Sequence, residues 1–136
     1  MNDYVIIGLV FVGVVVGFGI PIYLGLILYR KYTKSAEVAL GVILSSYPKY
    51  DEGTMYSVTF HTYYGFLAWA TQTKLIFPFD PNNIEPTVNL LRSLLKYNFK
   101  WGFLAEGALF IPVLSYFEYR KNIKTLRTHQ LTDKQK

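Results

Sequence analysis

Few side chains in this sequence are equipped for chemistry. The chain has two histidines, His61 and His129, no cysteine, and an adjacent acidic pair, Asp51 and Glu52. His61 lies among tyrosines with no acidic residue at the spacing of a metal ligand, and neighbouring carboxylates in a turn need not converge on one substrate. Without cysteine there is no thiolate metal site and no thiol nucleophile. The sequence therefore predicts no catalytic residue, no metal site and no cofactor, and we expect a protein that is not an enzyme.

Glu106 is the acidic residue in the most unusual surroundings, because it interrupts the apolar stretch of residues 101–117 (WGFLAEGALFIPVLSYF). An ionised carboxylate inside a bilayer is costly, so such a group faces a partner, lines water or is protonated. If the stretch is instead an amphipathic helix, Glu106 meets headgroups or pairs with Lys100 or Arg92. Both interpretations agree with the sequence, and the first makes Glu106 an intramembrane polar candidate.

The segment that would hold the chain in a membrane is residues 4–29, which contain no charged side chain. A helix needs roughly 20 apolar residues to cross a hydrocarbon core, and a single segment in lipid satisfies its backbone groups only as a helix. No basic residue precedes the segment and no small-residue cleavage site follows it, so we expect an uncleaved anchor and not a signal peptide. The sequence predicts a transmembrane helix at residues 4–29.

This helix carries a stripe of small or helix-bending residues spaced by four. The stripe consists of Gly13, Gly17, Pro21 and Gly25. Glycines at this spacing let a second helix approach closely, which matters in lipid because no hydrophobic force drives helices together there. The stripe is interpreted as a helix-packing face. Its partner would be another membrane protein, a second copy, or the chain's own second span.

The charges suggest how the chain meets the membrane. Arg30, Lys31 and Lys34 directly follow the predicted span and nothing basic precedes it, so the positive-inside bias places the N-terminus outside. The chain is 51% hydrophobic and 18% aromatic, with a formal net charge of +5. This balance predicts a lipid-facing protein with a basic aqueous surface, so the lipid bilayer is the expected partner and nucleic acid is not.

Residues 30–100 are expected to form a small aqueous or interfacial domain. Residues 55–64 alternate as a half-buried strand does, and residues 75–79 suggest another strand. Residues 35–46 are too short to span and fit a buried strand or an interfacial helix. Together these pieces predict a three-stranded meander, and the alternative is an extra membrane crossing through residues 56–79.

The C-terminal part begins with an amphipathic helix at residues 87–100, preceded by Pro86 and Glu85, which favour a helix start. It leads into residues 101–117, predicted as a second transmembrane helix; the alternative is a buried helix kinked at Pro112. Residues 118–136 form a basic tail, with its last five residues frayed. The interfacial anchors of the chain are expected to be Arg30, Lys31, Lys34, Trp101, Arg120 and Lys121.

The predicted fold class is therefore a membrane protein of mixed α+β structure. We expect a bacterial inner membrane location, with several spans favoured over one. Two spans alone would leave the basic tail outside, against the positive-inside bias, so an extra crossing, an inverted first helix and a single span all stay open. The expected function is an accessory subunit or a recognition protein of the exclusion or immunity type. The alternative is a self-assembling pore-forming or effector protein with Glu106 facing the assembly.

Overall fold

The computed structural model describes residues 3–50, 56–66, 69–103, 105 and 109–133. Its elements are helix α1 (Asp3–Val14), a π-helical turn (Val15–Gly19), helix α2 (Ile20–Ser45), strands β1 (Tyr56–Phe66) and β2 (Trp69–Phe79), and helices α3 (Glu85–Trp101) and α4 (Phe110–Asp133). The chain divides into two compact units, Met1–Lys34 and Ser35–Lys136. The protein is thus α+β, with a long apolar N-terminal helix and a two-stranded antiparallel sheet.

The first unit contains the uncharged part of the N-terminal helix. Ile6–Ser45 is long and apolar enough to cross a membrane, and among the described residues it is the one helix that is. At about 1.5 Å per residue, the predicted span at residues 4–29 covers more than a hydrocarbon core of about 30 Å. The π-helical turn ends two residues before Pro21. Since proline has no N–H, the carbonyl of Gly17 lacks its usual donor, and a widened turn is a common way for a helix to absorb such a defect.

The second unit is built on a β-hairpin. β1 and β2 pair antiparallel over their whole length, with Phe60 opposite Leu75 and His61 opposite Lys74. The prediction of a three-stranded meander is wrong for the described residues, because residues 35–45 continue helix α2 and the sheet has two strands. The alternative of an extra membrane crossing falls on residues 56–79, where the structure places β1 and β2 and where no described helix is long and apolar enough to span. β2 is longer than the strand predicted at residues 75–79. Its additional residues include polar ones, which suit the exposed face of a strand.

The hydrophobic core lies between one face of this hairpin and the helices. Side chains at alternate positions of both strands are buried, and they pack against three leucines of α3 and Leu126 of α4. The end of α2 contributes partly buried side chains to the same core, among them Leu40 and Leu44. The strand and α3 members are Val58, Phe60, Phe77, Phe79, Leu90, Leu91 and Leu94.

α3 confirms the predicted amphipathic helix, with Glu85 and Pro86 in its first turn. Leu91 and Leu94 are fully buried as the pattern predicts, whereas Phe99 is exposed. The helix ends at Trp101, and the next residue, Gly102, packs against α4. A Cβ at Gly102 would lie 2.6 Å from the Asn98 carbonyl oxygen and 2.7 Å from Ile111 Cγ2. Only glycine fits at this position, so Gly102 serves the contact between α3 and α4.

The structure does not show the second transmembrane helix predicted at residues 101–117. α3 ends at Trp101 and α4 begins at Phe110, and the described residues between them form turns. The predicted basic tail is largely helical, because α4 continues to Asp133 and includes Thr132, which the sequence suggested was frayed. Glu106, the intramembrane polar candidate, lies outside the described residues.

Candidate functional site

Polar side chains of the second unit converge on the outer edge of β1. In an antiparallel pair, alternate residues direct their backbone N–H and C=O groups away from the partner strand. In β1 these residues are Thr59, His61 and Tyr63, and their backbone groups are bonded by side chains of α3 and α4. The two helices therefore occupy the place where a third strand would pair.

Asn98, near the end of α3, bridges two of these residues. Its Oδ1 accepts the Tyr63 backbone N–H at 2.9 Å, and its Nδ2 donates to the His61 carbonyl at 2.8 Å. The same Nδ2 donates to Ser115 Oγ of α4 at 2.9 Å. Asn98 and Ser115 are fully buried. An amide carries both a donor and an acceptor, so it can complete a strand edge as another peptide group would.

α4 presents three polar side chains toward the same edge, which we call the inner polar face: Ser115, Glu118 and Asn122. Their spacing of three and four residues places them on one side of the helix. Glu118 Oε2 accepts the His61 backbone N–H at 3.1 Å, and Asn122 Nδ2 donates to the Thr59 carbonyl at 2.7 Å. An unpaired buried backbone group costs about 1–3 kcal/mol, so these contacts stabilise β1 and also cover an edge that could pair with another chain.

The closest approach to a catalytic arrangement is the pair of His61 and Glu118, with Nδ1 of the ring 2.7 Å from Oε1 of the carboxylate. A carboxylate on a histidine ring is how a general base is oriented in hydrolases. The nearby hydroxyl of Ser115, however, is buried and bonded to Asn98. Among the described residues, no group of three or more His, Cys, Asp or Glu could hold a metal ion. The arrangement can position a strand edge and orient the His61 ring.

Tyr63 lies close to Glu118 of this pair. Burial, together with the charge of Glu118, raises the pKa of Tyr63 above its usual value. The ring of His129 lies against Tyr56, with centroids 4.2 Å apart. Neither histidine is surrounded by metal ligands among the described residues. The partner of His61, Glu118, lies 57 residues away in sequence, beyond the reach of local pattern analysis.

The predicted helix-packing face is exposed. A Cβ placed on Gly13, Gly17 or Gly25 would meet no atom within 4 Å, and Pro21 is exposed. The large apolar side chains around these residues are exposed as well, including Phe11 and Phe18. The structure therefore leaves the glycine stripe open on the surface of the helix.

The predicted interfacial anchors fall into two groups. Arg30, Lys31 and Lys34 are exposed on α2. Trp101 ends α3 with Lys100 Nζ 5.0 Å from its ring centroid, while Arg120 and Lys121 are exposed on α4. The Arg120 guanidinium donates to the Tyr116 hydroxyl at 3.3 Å. A cation beside an aromatic ring is an arrangement often found at membrane interfaces.

Comparisons of this chain with protein-family models, with curated proteins and with solved structures find no match.

Proposed function

We propose that this chain is a small integral membrane protein that acts without catalysis, by packing its N-terminal helix against a helix of another membrane protein. The observation that carries the proposal is the open glycine stripe on a helix long and apolar enough to span. Glycines at Gly13, Gly17 and Gly25 cost helix propensity and leave backbone exposed. Their benefit in lipid is the close approach of a second helix. An accessory subunit or a recognition protein would use such a face.

The proposed topology has one span, with the N-terminus outside and the second unit on the cytoplasmic side of a bacterial inner membrane. Supporting this are the basic residues Arg30, Lys31 and Lys34 after the span and the turns that separate α3 from α4. A single span also leaves the basic residues of α4 on the cytoplasmic side, as the positive-inside bias favours. The multi-pass arrangement expected from sequence lacks a second candidate helix among the described residues.

The experiment compares two isoleucine variants of the full chain at one depth in the membrane. Gly17→Ile adds bulk to the stripe. Gly19→Ile adds the same bulk on roughly the opposite side of the helix. A Cβ there meets only Val15 Cγ1 at 3.8 Å, which is an ordinary contact. Differently tagged copies and co-extracted membrane proteins are quantified after mild detergent extraction. We expect Gly17→Ile to weaken one association at least about tenfold, about 1.4 kcal/mol, and Gly19→Ile to retain it.

Equal recovery of every associated protein by the two variants would contradict packing through the stripe. Loss of contact between copies alone would favour the self-assembling alternative over recognition of a different protein. Membrane residence is checked separately, since an integral protein stays with the membrane after carbonate washing.

A further inference from the structure

The first two turns of α4 turn apolar side chains outward. Phe110, Val113, Leu114 and Phe117 lie three or four residues apart, so they share one side of the helix, which we call the outer stripe. All four are exposed, with Phe110 at 70% and Phe117 at 66%. The inner polar face of the same helix is turned toward β1 and the end of α3. In these turns α4 therefore buries Ile111 and Ser115 and exposes four large apolar side chains.

The end of α3 extends this apolar surface. Phe99 and Phe103 are exposed, and Leu109, directly before α4, is 80% exposed. Gly102 packs against Ile111, so the end of α3 and the start of α4 are in contact. Exposed apolar side chains gathered where two helices meet mark an interaction site. We call it, together with the outer stripe, the apolar corner.

Basic side chains border the apolar corner. Lys96 and Lys100 flank Phe99 on α3, and together with Leu95 these residues line a shallow depression. On α4 the outer stripe continues into Lys121 and Lys124, one and two turns beyond Phe117. Apolar side chains with lysines at their margin are the composition of segments that lie in the membrane interface, where the lysines meet anionic headgroups.

We propose that the apolar corner lies in the interface of an anionic lipid bilayer, with the outer stripe at the boundary between headgroups and acyl chains and the bordering lysines at lipid phosphates. Charge complementarity identifies the occupant, because a basic border fits an anionic surface. This inference adds a second membrane contact, made by the second unit, to the one in the proposed function. It rests on the proposed function only in that the chain must be present at a membrane.

The test places a fluorophore at one of two sites in the full chain, reconstituted into vesicles of phosphatidylcholine and phosphatidylglycerol. The absence of native cysteine makes each attachment unique. Phe117→Cys reports the outer stripe. Thr128→Cys is the matched control, because it lies three turns further along the same side of α4 and is exposed. Quenching of each label is measured with iodide in the aqueous phase. It is also measured with lipids that carry a nitroxide either near the headgroup or near the end of the acyl chain.

At residue 117 we expect loss of iodide quenching and strong quenching by the nitroxide near the headgroup, whereas residue 128 shows the reverse. Omitting phosphatidylglycerol, or introducing Lys121→Glu with Lys124→Glu, should restore iodide quenching at residue 117. Equal iodide quenching at both sites would overturn the proposal. Stronger quenching by the nitroxide near the end of the acyl chain would also overturn it, because that result indicates a second span. Shielding from both quenchers would overturn it too, because that result indicates that a second copy covers the site. None of these outcomes depends on Gly17, so failure here is separate from failure of the proposed function.

Discussion

Helices α3 and α4 contact the same strand with side chains of opposite character. α3 turns Leu90, Leu91 and Leu94 inward and leaves Arg92 and Lys96 at the surface, as expected of a helix in water. α4 turns its inner polar face toward β1 and its outer stripe away from the protein. The inversion begins in the last turn of α3, where Asn98 is buried and Phe99 is exposed.

The difference follows from what each helix covers. α3 lies against the apolar face of the hairpin, so burial of leucine stabilises it. α4 lies along the edge of β1, where backbone groups need partners and polar side chains are required inside. That requirement explains the inner polar face but not the outer stripe. Exposed phenylalanine on the opposite side indicates surroundings other than water, which is the basis of the proposed bilayer contact.

The contrast between α3 and α4 is tested most strongly by truncating one leucine in each helix. Leu91→Ala removes a fully buried side chain and should lower the free energy of unfolding by about 2–5 kcal/mol. Leu114→Ala removes an exposed one, and in detergent it should cost less than about 0.5 kcal/mol. Both tryptophans, Trp69 and Trp101, belong to the second unit, so denaturant unfolding followed by tryptophan fluorescence measures both variants. Equal losses would mean that Leu114 is packed in a core.

The polar contacts on β1 come next in size. Asn98→Ala leaves the His61 carbonyl and the Tyr63 N–H without partners and should cost about 2–4 kcal/mol. Asn122→Ala removes one bond, to Thr59, and should cost about 1 kcal/mol. Hydrogen exchange at the Tyr63 amide should accelerate in the first variant and change little in the second. If both variants exchange alike, Asn98 does not complete the strand edge.

Removing the Glu118 carboxylate should have a similar but smaller effect. Glu118→Ala leaves the His61 backbone N–H unpaired, and the expected loss is about 1–2 kcal/mol. Glu118→Gln keeps one side-chain oxygen for that N–H and should recover part of the loss. Denaturant unfolding of the two variants measures the difference. No recovery would mean that the charge, and not the strand-edge bond, is what matters.

A further prediction concerns Tyr47, beside α3. Its hydroxyl donates to the Pro78 carbonyl at 2.5 Å and is bonded to Thr87 Oγ1 at 2.9 Å. Burial raises its pKa above the usual value of 10.0, the hydrogen bond to Thr87 partly opposes this shift, and Tyr50 adds to it. Because the folded state favours the neutral phenol, this stability is present below pH 10 and is lost as pH rises through the folded pKa. The difference in unfolding free energy between wild type and Tyr47→Phe should be about 1 kcal/mol near neutrality and shrink above pH 10. A constant difference would contradict the role of this hydroxyl.

Local patterns predicted the elements with one dominant period. The uncharged run at residues 4–29 indicated the long helix, the alternation of Val58 and Phe60 indicated β1, and Pro86 with its following leucines indicated α3. The continuation of α2 to Ser45 could not be predicted, because residues 35–46 are short and fit a strand or a helix equally. The position of the next proline, Pro48, is consistent with a helix that continues to Ser45.

The strand-edge site could not be predicted from local patterns, because its members are far apart in sequence. Glu118 and Asn122 meet residues of β1 57 and 63 positions earlier. The apolar run at residues 101–117 also concealed the break between α3 and α4. In that run a helix that is apolar outward has the same composition as a span, and only the fold shows that Ser115 lies inward.

The central claim is that this chain, reconstituted without a partner, faces lipid around its N-terminal helix and on one side only of α4. Nitroxide labels at single cysteines along residues 9–28 and 110–128, in reconstituted full-length protein, would test both parts by accessibility to oxygen and to a water-soluble nickel complex. The account predicts high oxygen accessibility along the N-terminal helix without polar periodicity. In α4 it predicts a helical period, with oxygen maxima at residues 113, 114 and 117 and nickel maxima beyond residue 124. Nickel accessibility at residue 117 equal to that at residue 128 would contradict it.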